Sequence, residues 1–92
     1  IGTGATAVHE GRVAFAAPFA GFGVLVIVDH GGSAFTLYGH LSEATVTEGA
    51  VLKAGDMVGR VGLAPAGAAA LYFEVRIDGR PVDPARWLAA RN

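Results

Sequence analysis

The sequence predicts an all-β domain of antiparallel strands, helical only at its C-terminal end. Three observations lead there. Turn signals recur at short intervals: Glu10-Gly11, Gly21-Phe22-Gly23, His30-Gly31-Gly32, Glu48-Gly49, Ala54-Gly55-Asp56 and Asp78-Gly79. Runs of strand length lie between them. One run, Leu71–Asp78, alternates apolar and polar residues throughout, the period of an extended chain with one buried face.

Each element has its own warrant. Arg12–Ala16 places Val13 and Phe15 two apart, which predicts a strand presenting both on one face. Val24–Asp29 is almost wholly apolar, as a strand covered on both faces would be. Ala34–Leu41 sets Phe35, Leu37 and Gly39 against Thr36, Tyr38 and His40. Met57–Val61 is a short strand, and Gly62–Ala70, with Pro65 and Gly67 among alanines, reads as a loop. In Leu71–Asp78, the side chains of Leu71, Phe73, Val75 and Ile77 are expected in a core. Tyr72, Glu74 and Arg76 then line the opposite face, as a solvated surface or as a contact surface for a polar partner. Asp83-Pro84 supplies an N-cap and a proline at the first helical position. A short helix follows, with Trp87 and Leu88 expected to latch it to the sheet.

Composition narrows the function. Ninety-two residues make one domain. With 52% hydrophobic and 16% charged residues the chain can fold, which excludes a disordered tail. A net charge of −1 lacks the basic excess that drives phosphate-backbone binding. The absence of cysteine excludes disulfides and thiolate chemistry and is silent on compartment. No apolar run, Val24–Val28 included, approaches the ~20 residues of a membrane helix. The opening Ile1-Gly2-Thr3-Gly4 resembles neither a secretion signal nor a linker and reads as a piece of a longer polypeptide.

Several segments in one register carry a family resemblance. They are Gly21–Gly32, Leu37-Tyr38-Gly39-His40-Leu41, Val51–Gly62, Leu71-Tyr72-Phe73-Glu74-Val75-Arg76 and Val82-Asp83-Pro84. Together the segments resemble the LytM or lysostaphin-type domain, a zinc endopeptidase fold that cuts peptidoglycan cross-links. The resemblance implies an antiparallel β-sheet sandwich of the duplicated-hybrid-motif type. It makes residues 1–92 a single degenerate domain, truncated at its N-terminus relative to the full family domain.

A catalytic zinc needs three protein ligands and an open position for water. The family takes a His and an Asp from an upstream His-x-x-x-Asp motif, which would precede Ile1, and a third ligand from a His-x-His pair. In this sequence that pair is replaced by Ala70-Leu71-Tyr72. Alanine has no donor atom, and a neutral phenol is a poor zinc ligand. The resemblance therefore implies no metal, no cofactor and no catalytic residue, with Ala70 and Tyr72 as degenerate positions. His40 matches the family's Tyr-Gly-His segment and is expected in a groove wall. His9 and His30 match no ligand and are expected as surface turn residues.

The spelling Ala70-Leu71-Tyr72-Phe73-Glu74 is similar to the EnvC-like activators of cell-wall amidases. Such activators bind the regulatory helix that covers an amidase's zinc and draw it off during septal peptidoglycan splitting. The resemblance implies an amidase partner and the periplasm or cell envelope of a Gram-negative bacterium. The expected groove comprises Phe22, Tyr38, His40, Tyr72, Glu74 and Arg76. Competing readings are a peptidoglycan-binding module and an active zinc endopeptidase. More distant is a biotinyl or lipoyl carrier on Lys53, which lacks the acidic or methionine neighbours of such lysines.

Overall fold

The computed structural model describes residues 2–64 and 67–91, with side chains described as far as 87. Eight strands and one helix follow in chain order: β1 (Gly4–Thr6), β2 (Gly11–Phe19), β3 (Gly23–Asp29), β4 (Ala34–Ala44), β5 (Val51–Leu52), β6 (Met57–Val61), β7 (Tyr72–Ile77), β8 (Arg80–Val82) and α1 (Pro84–Arg91). They form one curled antiparallel sheet in the order β1-β6-β4-β3-β2-β5, with β7 and then β8 branching from β4. All-β antiparallel architecture with a C-terminal helix is thus what the chain adopts. The short strands β1, β5 and β8 carry too few residues to show a period and escaped the pattern reading.

Strand β4 organises the sheet. One of its edges pairs with β3. The other pairs first with β7, over Ala34–Gly39, and then with β6, over Leu41–Ala44. The changeover falls at His40, which adopts a left-handed φ of 60°. A non-glycine residue there is uncommon, and it bends the strand so that one edge can serve two partners. Val13, Val26, Val28, Tyr38 and Val58 fill the main core. Ala34, Val75 and Trp87 form a second cluster, so Trp87 does latch α1 to the sheet. The side chain of Leu88 lies outside the described residues. Asp83 Oδ1 accepts the Ala85 N–H at 3.0 Å, the cap its position predicts.

Four expectations are corrected. Val13 and Phe15 do not share a face. Val13 pairs with Val28 but Phe15 pairs with Ile27, so Ala14 is an extra residue that turns Phe15 to the opposite side. Leu71 precedes β7 and is 39% exposed rather than in the core. Tyr38 is 1% exposed: its ring packs on Phe73 and its hydroxyl sits 3.0 Å from Thr36 Oγ1, inside the core. It therefore forms no groove wall. His9 and His30 are half-buried, not surface turn residues; their rings pack against Trp87 at 5.2 and 5.4 Å. The 62–70 loop is tied by a bridge between Leu63 and Ala69, and Pro65 and Ala66 lie outside the described residues.

Candidate functional site

The face of the sheet away from the main core carries the site. Residues directly paired across antiparallel strands point to the same side. Tyr72 pairs with Gly39, Glu74 with Leu37 and Arg76 with Phe35. Leu37 in turn pairs with Ile27, and Ile27 with Phe15. The Tyr72–Glu74–Arg76 row therefore borders an apolar floor rather than open water. Two adjoining hollows of about 230 and 340 Å³ share Phe15, Ile27, Leu37 and Arg76 as lining. The smaller also takes in Phe19, Phe22 and Leu25.

Aromatic rings edge this groove in an unbroken series. Phe15 meets Phe19 edge-on at 5.9 Å, and Phe19 meets Phe22 at 6.0 Å. Phe22 meets Tyr72 edge-on at 5.2 Å and stacks on His40 at 6.5 Å. His40 closes the set on Tyr72 at 5.7 Å. Gly39 makes this possible. A Cβ there would lie 3.2 Å from Tyr72 Cβ and 3.3 Å from Phe22 Cδ1, tighter than side chains ordinarily pack. Backbone bonds hold the corner: the His40 N–H donates to Phe22 O at 2.6 Å and the Gly62 N–H to His40 O at 2.8 Å.

The polar row is internally bonded. The Tyr72 hydroxyl donates to Glu74 Oε1, and Arg76 Nε donates to Glu74 Oε2. Arg76 first, then Tyr72, hold the Glu74 carboxyl below its usual range against the opposing cost of burial. The same carboxylate raises the Tyr72 phenol, chiefly through their hydrogen bond. Tyr72 is thus a neutral hydroxyl committed to Glu74. Arg76 keeps a side-chain exposure of 42%, so its guanidinium is accessible as well as braced.

Phe22, His40, Tyr72, Glu74 and Arg76 lie side by side; Tyr38 does not join them. Phe15, Phe19, Leu25, Ile27 and Leu37 are the members that sequence reasoning missed. One signal was present: Val24–Val28 within β3 is apolar at every position and needs cover on both faces, and the groove lies on the second of them. Ala70 lies exposed in the segment before β7 and carries no donor atom. The residues at this site do not fit the catalytic zinc of the LytM or lysostaphin-type endopeptidases. Ala70 offers nothing, Tyr72 is bonded to Glu74, and His40 is the one imidazole among the ring neighbours. Among the described residues no three His, Asp or Glu side chains come together as a metal-binding group.

Comparison with known proteins gives a consistent set of relatives. Residues 1–84 match the family described as Peptidase family M23. The chain is similar to the murein hydrolase activator EnvC of Escherichia coli strain K12, 39% identical over 88 residues, covering 95% of this chain and 21% of that protein. It is also similar to the murein hydrolase activator NlpD of the same strain, 33% identical over 86 residues, covering 92% of this chain and 23% of that one. The chain spans about a fifth of the length of these relatives. Among solved structures, the catalytic domain of lysostaphin from Staphylococcus simulans matches with a TM-score of 0.86 at 27% identity, over 97% of this chain and 72% of that one.

Proposed function

Because the chain belongs to peptidase family M23, we propose that it is a member kept for binding: a non-catalytic activator of zinc N-acetylmuramoyl-L-alanine amidases. It acts in the periplasm or cell envelope during septal peptidoglycan splitting. Residues 1–92 form its single degenerate LytM domain. The observation that carries this reading is the groove. An apolar floor edged by Phe15, Phe19, Phe22, His40 and Tyr72 ends on an accessible arginine. Such a surface fits the apolar stripe of an amphipathic helix better than a scissile peptide. The relatives named as murein hydrolase activators support the same role, as does the absence of a donor at Ala70.

The mechanism follows from differential binding. The amidase regulatory helix covers the amidase's own zinc in the resting state. The groove takes the apolar face of that helix only when it has swung clear, and Arg76 pairs with a carboxylate on its flank. Reversing a 1:99 equilibrium to 99:1 requires about 5.5 kcal/mol of preferential binding. Two leucine-sized anchors buried in the two hollows supply ~1.5–3 kcal/mol each. The two anchors reach that figure only at the top of their range, so the pairing at Arg76 must add to them.

The test is dye release from labelled peptidoglycan by an amidase in the presence of this chain. Tyr72→Ala with Arg76→Ala is expected to lower the stimulation at least tenfold while circular dichroism stays that of the wild type. Full stimulation by the folded double variant rejects the assignment.

A further inference from the structure

A charged row runs beside the groove floor, and strand pairing fixes which way it faces. Arg12 pairs with Val51 on one side and with Asp29 on the other. Asp29 pairs with Phe35, and Phe35 with Arg76. Directly paired residues point to the same side of an antiparallel sheet, so these five share one face. It is the groove face, because Phe35 and Arg76 line the larger groove hollow. Ile27 and Leu37 of the floor stand two residues from Asp29 and Phe35 along β3 and β4. The groove therefore has two unlike walls: aromatic rings form one, and this row forms the other.

Arg12 gives the second wall a charge to present. It is exposed, and its guanidinium makes one long hydrogen bond, to the Gly49 carbonyl at 3.5 Å. The ion pairs among the described residues are Arg60 with Glu43 and Arg76 with Glu74, and Arg12 is in neither. Asp29, beside it in the row, is half-buried, and its Oδ1 accepts the Gly31 N–H at 2.8 Å. Arg12, Asp29 and Val51 open, with Glu10, onto a further hollow of about 440 Å³. With Glu10 and Asp29 so close, Arg12 is not part of a basic patch. It suits a single carboxylate at one place rather than a polyanion.

Resting on the activator reading, we propose that Arg12 is a second specificity residue of the groove. Its occupant is then an amphipathic helix with two acidic residues about three turns apart on one flank. Both groove hollows reach from Phe15 on β2 to Arg76 on β7, so the helix lies across the strands. From β2 to β7 is three strand steps, through β3 and β4. At about 4.8 Å per step, the backbones at Arg12 and Arg76 stand about 14 Å apart. A helix rising about 1.5 Å per residue covers that span in about ten residues, and residues about eleven apart return to one face. Asp29, one step in from Arg12, repels a third acid placed about three residues after the first. Phe35 comes next and accepts an apolar side chain. The two arginines thus select one helix among several of equal apolar character, and Asp29 rejects those with acids at the wrong spacing.

Dye release by an amidase, titrated with the intact chain, tests this. Arg12→Glu is expected to raise the chain concentration for half-maximal stimulation about tenfold or more at low salt, and Arg12→Gln about threefold or more. Arg12→Lys keeps the charge and is expected to stay close to wild type. The gap between wild type and Arg12→Glu is expected to narrow at high salt, because pairing between exposed charges is screened. A gap that salt does not change would overturn the proposal, since a merely structural role for Arg12 gives that result. So would a folded Arg12→Gln with the wild-type half-maximal concentration at low salt, whether or not Arg12→Glu folds. Tyr72→Ala with Arg76→Ala, run beside these variants, tells the two readings apart. If that double variant loses stimulation while Arg12→Gln keeps it, the second contact falls and the groove stands. A folded double variant that stimulates fully overturns both.

Discussion

Glu74 shows how much a single residue can organise. It receives Tyr72 on one oxygen and Arg76 on the other, so three alternate positions of β7 become one rigid polar edge. Its depressed carboxyl has a thermodynamic consequence. A carboxyl lowered by folding stabilises the fold above its unfolded value, about 4.5, and that share is lost as pH falls through the lower folded value. Wild type is therefore expected to lose melting temperature below pH 4.5 more steeply than Glu74→Gln, the two curves converging in acid. Parallel curves from pH 3 to 6 would separate Glu74 from the stability of the row. Tyr72, Glu74 and Arg76 were legible in the sequence because a period of two assigns faces directly. Tyr38 was misassigned by the same rule. Period two says which residues share a face, not which face meets the core, and the Thr36–Tyr38 side of β4 turned out to be the inner one.

Strand β2 shows why faces cannot be read through an irregularity. Ala14 is the extra residue, and every side chain after it changes sides relative to the simple pattern. That inversion brings Phe15 to the groove, where it lines both hollows. Deleting Ala14 leaves Val13 opposite Val28 and Phe15 opposite Ile27 in a regular ladder. Deleting Ala16, which pairs with Val26 within regular strand, forces one flanking segment onto the wrong face. Urea unfolding is expected to find the second deletion costlier by at least ~2 kcal/mol, about the burial of one large side chain. Equal costs would mean that the bulge does not set the facing of Phe15. Elsewhere the elements announced themselves. Met57–Val61 coincides with β6, and the Asp83-Pro84 start of α1 was visible because caps are local chemistry.

At the scale of the molecule, a small β domain depends on a few large side chains to join its parts. Trp87 connects α1 to Ala34 and Val75 and packs on the rings of His9 and His30. Trp87→Ala is expected to cost about 3–5 kcal/mol, a large share of the ~5–15 kcal/mol available to a domain of this size. The urea midpoint reads this directly, and a loss under ~1 kcal/mol would show the latch to be dispensable. The groove lies on the opposite side of β4 from the main core. On the proposed function, a folded remnant of Trp87→Ala is therefore expected to keep part of the amidase stimulation of the wild type.

The sequence by itself determined the all-β class, the helix start, the cysteine-free chemistry and the row on β7. These depend on composition, caps and local period, which neighbouring residues settle among themselves. Only the tertiary structure decided where the groove lies and what forms its floor. The bulge at Ala14, the left-handed turn at His40 and the division of β4 between β7 and β6 arise from pairing between distant strands. Such pairing decides which of two chemically plausible faces is buried, and no local pattern contains that choice.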